Sequence, residues 1–324
     1  MFSVDLSVFF AGTAGSVPSA RRGLPALLVR RGGDRVLFDC GEGTQRQLLK
    51  TVGLSDLTDV YLTHFHLDHW LGLPGMLKSF DLRDRDRPLT VHGPPGLERL
   101  MGALRPLYGR VGYPLKFEEL EPGEPVRRDG YAVAPFTVRH RGTSYGYALV
   151  EESRPGRFDA QRARALGVEP GPDFGRLQCG EVVNGVEPDQ VMGPGRPGRK
   201  IVISGDTSPS EALEVAAHQA DLLVHEATFI DEEADRARQT GHSTAREAAE
   251  VATAAGVRML ALTHLSPRHL PREFRDEARA VFAGTVVPRD FDTIEVPFPE
   301  RGEPALVRWE EMRARNEAAG EPVA

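Results

Sequence analysis

The sequence predicts an α/β layered fold, and three observations predict it. Short apolar runs of strand length alternate with helix-like segments along most of the 324 residues. Turn signals such as Gly32-Gly33-Asp34 join neighbouring runs and indicate hairpins. Histidine and aspartate residues follow the ends of several predicted strands, where α/β folds commonly place their functional sites. The length suits one large domain or a domain with an insertion.

The first 150 residues are predicted to be mainly strands with three helices between them. The predicted strands are residues 3–10, 26–30, 35–39, 60–62, 89–92, 115–120, 131–139 and 145–150. The predicted helices are residues 45–52, residues 71–80 and a segment from Leu97 onward.

Residues 151–199 interrupt this pattern, because glycine and proline are dense there and apolar periodicity is weak. We expect an inserted flexible arm with at most one short helix, at residues 159–166. Compact domains seldom hold so long a segment unless it is functional or disordered. The residues alone do not decide between a projection that binds a partner and a disordered linker.

The regular pattern resumes at residue 200. The predicted strands are residues 200–204, 221–225, 259–262 and 293–296, and the predicted helices are residues 210–219, 244–255 and 272–282. Thr244 and Glu247 have the spacing of a capping box, and Gly256 supplies a stop signal. The chain therefore divides into a main α/β domain of residues 1–150 and 200–305, an arm of residues 151–199 and a charged tail of residues 306–324.

Composition excludes several classes of protein. Two cysteines cannot build a disulfide framework, so a reducing compartment is expected. The apolar run at residues 8–12 is too short for a signal peptide and lacks a basic flank, and no run approaches the length of a membrane span. We therefore expect a cytoplasmic protein without a membrane partner. A net charge of −7 neither supports nor excludes nucleic acid, although arginines cluster locally.

The stretch from Thr63 to His69 is the strongest functional signal, with three histidines and one aspartate directly after a predicted strand. Imidazole and carboxylate groups are the usual protein ligands of zinc and similar divalent ions. His64 and His66 are two residues apart and can point the same way. The next turn can aim Asp68 and His69 at a second point, so the spacing indicates a two-metal site. The alternative is a polar loop in which the histidines have no common role.

Three further ligand candidates each follow an apolar strand: His140, Asp206 and His264. They complete a set in which His64, His66 and His140 hold one ion, Asp68, His69 and His264 hold a second, and Asp206 bridges them. Such a pair activates water near neutral pH, so hydrolysis is the implied chemistry. We expect two zinc ions, although manganese and other divalent ions share these ligands.

The metal motif at residues 64–69, the later His140, Asp206 and His264, and the alternating strands and helices resemble the metallo-β-lactamase superfamily. The resemblance implies an αββα sandwich with its metals at one edge. That superfamily acts on lactams, thioesters, lactones and phosphodiesters, so the fold alone does not choose a substrate.

Four further stretches resemble the signature motifs of the ribonuclease Z family of tRNA 3′-processing endonucleases. They are residues 38–45, 171–175, 225–228 and 242–244, and the resemblance extends from about residue 3 to about residue 297. It implies an endoribonuclease that removes 3′ trailers from tRNA precursors. A hydrolase of small phosphodiesters or esters, with the arm as a lid, is the alternative within the superfamily. A non-catalytic RNA-binding protein is a third reading, and the intact ligand set argues against it.

The resemblance also implies catalytic roles for three residues. His242 is similar to the residue that gives a proton to the leaving 3′ oxygen, and Glu226 would orient it. Asp68 resembles the general base on the attacking water, besides being a ligand. Without the resemblance, His242 could simply precede the helix that Thr244 caps, and Glu226 could be a surface carboxylate.

For the arm, the resemblance implies a projection that grips the tRNA elbow, in a homodimer where one subunit holds the precursor that the other cuts. The loop at residues 18–23 corresponds to a family loop written PxKxRN, but Ala20 and Gly23 replace its lysine and asparagine. The cleavage position relative to CCA therefore stays open. The expected substrate-binding residues are Arg21, Arg22, Gly171, Pro172, Gly175 and Arg176.

Overall fold

A computed structural model describes residues 4–54 and 57–319 of the chain. Two β-sheets lie face to face with helices on both outer sides, which confirms the αββα sandwich. Ser3, the expected start of the first strand, and residues 320–324 of the expected tail lie outside the described residues.

The strands of both sheets largely match the apolar runs of the sequence. In chain order they are β1 Leu6–Gly12, β2 Ala26–Arg31, β3 Asp34–Phe38, β4 Asp59–Tyr61, β5 Leu89–Gly93, β6 Leu115–Glu119, β7 Val126–Arg128, β8 Tyr131–Thr137, β9 Tyr145–Glu151, β10 Lys200–Ile203, β11 Leu222–Glu226, β12 Leu260–Thr263, β13 Thr285–Val286, β14 Thr293–Glu295 and β15 Ala305–Val307.

The two sheets have similar topologies. The first has the order β15-β14-β1-β2-β3-β4-β5-β6, and β3 to β6 pair in parallel. The second has the order β13-β12-β11-β10-β9-β8-β7, and β10 to β13 pair in parallel. Parallel strands bring their carboxyl ends to the same edge of a sheet, so loops that follow β4, β10 and β12 gather side chains there.

The helices cover the outer face of each sheet or belong to the insertion and the C-terminal part. They are α1 Thr44–Leu49, α2 Leu67–Trp70, α3 Leu73–Asp81, α4 Leu97–Tyr108, α5 Ala160–Ala165, α6 Pro172–Gln178, α7 Glu211–Ala217, α8 Ala234–Thr240, α9 Ala245–Ala255, α10 Pro271–Arg279 and α11 Trp309–Ala319. The described part of the chain contains no helix with both the length and the apolar character of a membrane span.

Three hydrophobic cores hold the layers together. Leu27 and Val29 on β2 face the core between the sheets, whereas Leu28 faces the core beneath α3 and α4. On β10, Ile201 faces the central core and Val202 faces the core beneath α7 and α9. Because both faces of each central strand are buried, these strands appear in the sequence as continuous apolar runs.

Helix α9 begins and ends where its sequence signals predicted. The Thr244 hydroxyl accepts the Glu247 backbone N–H at 3.1 Å, and the Glu247 carboxylate accepts the Thr244 N–H at 2.8 Å. Gly256 ends the helix in the left-handed conformation, with φ of 64°. The predicted capping box is confirmed.

The prediction of at most one short helix in the arm was wrong. The segment contains both α5 and α6, and Pro172 occupies the first turn of α6. Its apolar side chains form a separate hydrophobic cluster. The members of that cluster are Ala163, Val168, Leu177, Val183, Val186 and Val191. They are too widely spaced in sequence to give a periodic signal, and they come together only when the segment folds.

Other elements were not anticipated from the sequence. The helix predicted at residues 71–80 corresponds to α3, and the separate short helix α2, which lies within the metal motif, was not predicted. Gly72 lies between the two helices, where a Cβ atom would lie 2.1 Å from the Gly41 carbonyl oxygen. Helix α8 was missed because it buries only Ala237. Strand β15 begins at Ala305, extends into the expected tail and pairs with β14, and the centroid of the Trp309 ring at the start of α11 lies 5.9 Å from that of Phe291.

Candidate metal centre and active site

All seven candidate ligands lie at one edge of the sandwich. Four come from the loop after β4 and from α2, and three follow β8, β10 and β12 of the second sheet. Their potential donor atoms form two neighbouring groups, within each of which they lie within 4.8 Å of one another, and His242 forms a third such group with Asp206 and His264. One group is His64, His66, His140 and Asp206, and the other is Asp68, His69 and His264.

In the first group, three imidazole nitrogens face a common point. His66 Nδ1 lies 2.9 Å from His64 Nε2 and 3.2 Å from His140 Nε2. Asp206 Oδ2 completes the group at 3.8 Å from His64 Nε2 and 4.0 Å from His140 Nε2. His64 is buried and His66 is exposed, so the group lies between the interior and the surface.

In the second group, His264 Nε2 lies 3.4 Å from both His69 Nε2 and Asp68 Oδ2. The Asp206 carboxylate reaches this group too, with Oδ2 3.3 Å from His69 Nε2 and Oδ1 3.3 Å from His264 Nε2. Asp206 is therefore the one member of the set that faces both groups, as a bridging carboxylate must.

The donor chemistry fits two divalent cations. Burial lowers the pKa of His64 well below its ordinary value and also lowers that of His140, which favours the unprotonated rings that metal ligation requires. Burial alone would raise the pKa of Asp206, but His264 and His69 hold it well below its ordinary value. In the second group, burial alone would lower the pKa of His69, but the Asp206 and Asp39 carboxylates raise it well above its ordinary value, so metal binding would have to displace a proton from this ring. A cation between these donors would take the place of that proton beside the buried carboxylate.

Each buried ligand ring is also held through its other nitrogen, an arrangement that fixes tautomer and orientation at metal sites. The partners are Thr63 Oγ1 for His64 at 3.0 Å, Asp39 Oδ2 for His69 at 2.7 Å, the Gly241 carbonyl for His140 at 2.7 Å and Thr228 Oγ1 for His264 at 2.8 Å.

Asp39 is a supporting residue that sequence reasoning did not assign. Its carboxylate accepts the ring N–H of His69, the backbone N–H of Thr63 at 2.8 Å and the Thr63 hydroxyl at 2.9 Å. Its backbone is left-handed, with φ of 58°, a conformation that aspartate tolerates better than most residues. The signal was available, since Asp39 directly follows a buried strand just as the metal-binding candidates do.

His242 lies beside both groups and is hydrogen-bonded to Glu226. Its Nδ1 donates to Glu226 Oε1 at 2.7 Å, and its ring centroid lies 4.8 Å from that of His140 and 5.4 Å from that of His264. Burial alone would lower the pKa of His242, but the Glu226 carboxylate raises it to about 9. The 3.9 Å from Nδ1 to Asp206 is much longer than the bond to Glu226, so Glu226 sets the orientation of this ring.

Glu226 itself is fixed by three further donors. Oε1 accepts the Thr207 N–H at 3.0 Å, and Oε2 accepts the Thr228 N–H at 2.9 Å and the Thr228 hydroxyl at 2.6 Å. The side chain is only 1% exposed, so it is not the surface carboxylate of the alternative interpretation. The neighbouring His225 is fully buried, and its Nδ1 donates to the Glu226 carbonyl at 2.7 Å.

The expected substrate-binding residues differ in their exposure and in their hydrogen-bond partners. Arg22 is partly buried, and its guanidinium donates to Thr13 Oγ1 and to the Pro288 carbonyl, whereas Arg21 is exposed. In the arm, Arg176 pairs with Asp173 at 3.2 Å and with Glu181 at 2.8 Å. Gly171 precedes α6 with φ of 153°, Pro172 begins that helix, and Gly175 faces open space.

Comparisons with known proteins agree with this geometry. The model of the metallo-β-lactamase superfamily matches residues 23–148. The chain is 48% identical to "Ribonuclease Z" of Halorubrum lacusprofundi, over 93% of this chain and 100% of that protein. It is 47% identical to "Ribonuclease Z" of Myxococcus xanthus, over 90% and 98% of the two chains. The crystal structure of the short form of human tRNase Z superimposes with a TM-score of 0.67 at 28% identity, covering 90% and 100% of the two chains.

Proposed function

Because this chain belongs to the ribonuclease Z family of the metallo-β-lactamase superfamily, it is an endoribonuclease of tRNA 3′ processing, and we propose that it uses two divalent ions to cut precursors. The observation that carries the proposal is the arrangement of seven ligands in two groups that share Asp206. Histidine-rich ligand sets of this kind favour zinc, while manganese would fit the same donors.

When bound, the two ions would supply an activated water and positive charge for the scissile phosphate. Asp68 is proposed as the general base that would take a proton from the attacking water. Its Oδ2 accepts the Ser16 backbone N–H at 2.9 Å and lies 3.4 Å from His264 Nε2, so the carboxylate is held at the edge of the second group. Burial alone would raise the pKa of Asp68, but the hydrogen bond with His264 keeps it low and therefore ionised.

His242 is proposed to donate a proton to the leaving 3′ oxygen. Since Nδ1 already donates to Glu226, Nε2 is the ring nitrogen left to give a proton to the substrate. Glu226 acts as a positioning residue, because its own four hydrogen bonds prevent it from moving away from the imidazole. An acid beside the leaving oxygen and a base beside the nucleophile are the two groups that phosphodiester cleavage requires.

The arm is proposed to hold precursor tRNA in a cytoplasmic homodimer. Exposed arginines on the arm, including Arg157, Arg162 and Arg164, support contact with phosphates. Exposed Leu82 and Leu107, on the helical layer of the first sheet, provide apolar surface for a second subunit. Free Cys40 and Cys179 suit a reducing compartment.

The decisive experiment incubates the protein with a trailer-bearing precursor tRNA, and in parallel with chelator-treated protein. We expect release of an intact trailer, loss of cleavage after chelation and recovery when zinc is restored. Metal analysis of the same preparation should give two ions per subunit. Cleavage that persists in a metal-free preparation would exclude the proposed mechanism.

A further inference from the structure

A basic groove lies outside the metal centre and has no role in the chemistry above. It is a cavity of about 880 Å³ bounded by the loop at residues 18–23, by α10 and by the segment that enters α11. We call it the arginine groove, because seven arginines line it. The six used in the argument are Arg21, Arg272, Arg275, Arg279, Arg289 and Arg308.

The groove is positive although the whole chain carries a net charge of −7. Its arginines face three carboxylates, and two of those are already used inside the fold. Asp290 accepts the Thr13 hydroxyl and the Gly23 backbone N–H, both at 2.6 Å. Asp292 is buried and pairs with Arg308 at 2.5 Å. The remaining cations therefore produce a local field that attracts a polyanion.

Helix α10 presents its arginines as a row. Arg272, Arg275 and Arg279 are spaced by three and four residues, so they share one face, while Phe274 and Ala278 are buried on a different face of the helix. Arg275 pairs with Asp276, and the Arg279 guanidinium donates to the Thr285 carbonyl at 2.8 Å. Among the described residues, Arg272 and Arg289 have no ion-pair partner. A row of exposed guanidinium groups matches successive phosphates of an extended backbone.

Two aromatic rings in the groove favour a single strand over a duplex as the ligand. Trp309 and Phe291 line the groove with partly exposed rings whose centroids lie 5.9 Å apart. Unpaired bases stack on such rings, and stacking contributes about 1–3 kcal/mol per base in single-strand binding proteins. Bases within a duplex are already stacked on one another and cannot use this surface.

The loop at residues 15–22 connects the groove to the metal centre. At one end, the Ser16 backbone N–H donates to Asp68 Oδ2 at 2.9 Å, and the Gly15 N–H donates to the Leu265 carbonyl beside His264 at 3.2 Å. At the other end, Arg21 lines the groove. Five residues span at most about 18 Å, so a strand leaving the centre along this loop reaches the groove within that distance.

We propose that the arginine groove binds the single-stranded 3′ trailer of the precursor, downstream of the cut. This subsite rests on the proposed function, since it presumes that the scissile phosphate lies at the metal centre. Arginines of α10 and Arg289 bind trailer phosphates, and Trp309 stacks with a trailer base. The groove gives the enzyme contacts with RNA that are separate from those of the arm. A longer trailer makes more of these contacts.

The test compares one precursor tRNA carrying either a single-nucleotide trailer or a long unstructured trailer. The variant combines Arg272→Gln, Arg275→Gln and Arg289→Gln, all exposed and none a candidate ligand. We expect kcat/KM on the long trailer to fall about tenfold or more while that on the single-nucleotide trailer is unchanged. The slope of log kcat/KM against log salt should become shallower by about 2, because each lost phosphate contact on a single strand contributes about 0.7.

A matched control combines Arg99→Gln, Arg105→Gln and Arg110→Gln, which removes the same charge from exposed positions in and just after α4. It should leave both substrates unaffected. Equal losses on both trailers in the groove variant would overturn the proposal and assign the groove to the tRNA body. No loss on either trailer would overturn it as well.

Direct binding separates this proposal from the catalytic one. An unstructured oligoribonucleotide of trailer sequence, followed by fluorescence anisotropy, should bind the wild-type protein and bind the groove variant at least about tenfold more weakly. Trp309→Phe should retain that affinity and Trp309→Ala should lose it. If precursor cleavage fails but this binding pattern holds, the proposed function is wrong while the groove remains a single-strand site. Equal binding by wild type and groove variant excludes the groove.

Discussion

At the scale of single residues, the site depends on side chains that would never touch a metal. Asp39, Thr228 and the Gly241 carbonyl each hold the second nitrogen of a candidate ligand ring. They determine which nitrogen is unprotonated and where it points, and both must be correct before an ion can bind.

Asp39→Asn should weaken metal binding without altering the backbone, because asparagine also tolerates the left-handed conformation observed at this position. Loss of the negative charge beside His69 should lower affinity for one of the two ions by about 10- to 100-fold. Competition with a chelating dye measures this affinity. Asp59→Asn is the matched control, since Asp59 is buried and bonded to His92 at 2.9 Å away from the candidate ligands. Equal metal affinity in wild type and Asp39→Asn would contradict the assigned role.

His242→Ala should separate catalysis from metal binding. Turnover of precursor tRNA should fall about 100- to 10,000-fold, which is the usual contribution of a general acid or base. Both ions should remain, because the two proposed ligand groups are complete without His242. Metal analysis measures the ion content, and single-turnover kinetics measures the rate of cleavage. His264→Ala is the comparison variant, and it should lose metal. Loss of an ion from His242→Ala would instead make His242 a ligand.

At the scale of elements, the two sheets place the site and short helices complete it. Strand ends β4, β10 and β12 deliver ligands to one edge, while α2 turns the chain so that Asp68 and His69 face a different group from His64 and His66. Helix α9 begins three residues after His242, and its N-cap Thr244 fixes the backbone close to that residue.

Thr244→Ala should destabilise the protein by about 1 kcal/mol, because the substitution removes the hydroxyl that caps α9. Thr253→Ala is a matched control in the same helix, where an exposed hydroxyl bonds only to the Ala249 carbonyl. Urea unfolding at saturating zinc compares the free energies of unfolding. An equal decrease in the free energy of unfolding of both variants would mean that the capping hydrogen bond does not stabilise the protein more than an ordinary hydroxyl in the helix.

At the scale of the whole molecule, the arm is anchored to the sandwich by buried charge. Arg199 is 2% exposed and pairs with Glu151 at 2.7 Å, and Arg31 pairs with the same carboxylate at 2.8 Å. Arg154 lies over the Phe298 ring and bonds to Glu300 at 2.6 Å. These contacts hold both ends of the arm, so its direction relative to the metal centre is set by the body.

The arm can therefore be removed without removing the Glu151–Arg199 ion pair that anchors it. Glu151 and Arg199 are neighbours, with a backbone hydrogen bond of 2.9 Å, so an Asn-Gly hairpin can replace residues 152–198. We expect kcat/KM on precursor tRNA to fall by about 100-fold or more through lost phosphate contacts. Cleavage of a small chromogenic phosphodiester should be unchanged, since the metal centre lies elsewhere. Wild-type rates on precursor tRNA would exclude a role for the arm in binding.

The sequence by itself determined the features that depend on local spacing. These features are the types of the candidate ligands, their positions after strands, the separation of His64 and His66 from Asp68 and His69, and the caps of α9. Each depends on residues that are only a few positions apart in the sequence. The layered fold was predicted from strand periodicity, which is also a pattern of neighbouring residues. The motif resemblance added the family, and with it the substrate.

Tertiary structure alone decided what depends on contacts between distant residues. Asp39 meets His69 from 30 positions away, the arm forms its own core from scattered valines, and residues near 21, 275 and 309 meet in one groove. Pattern and propensity act over a few residues along the chain, whereas hydrogen bonds and packing act over a few ångströms in space. Only the folded backbone brings such partners within that distance.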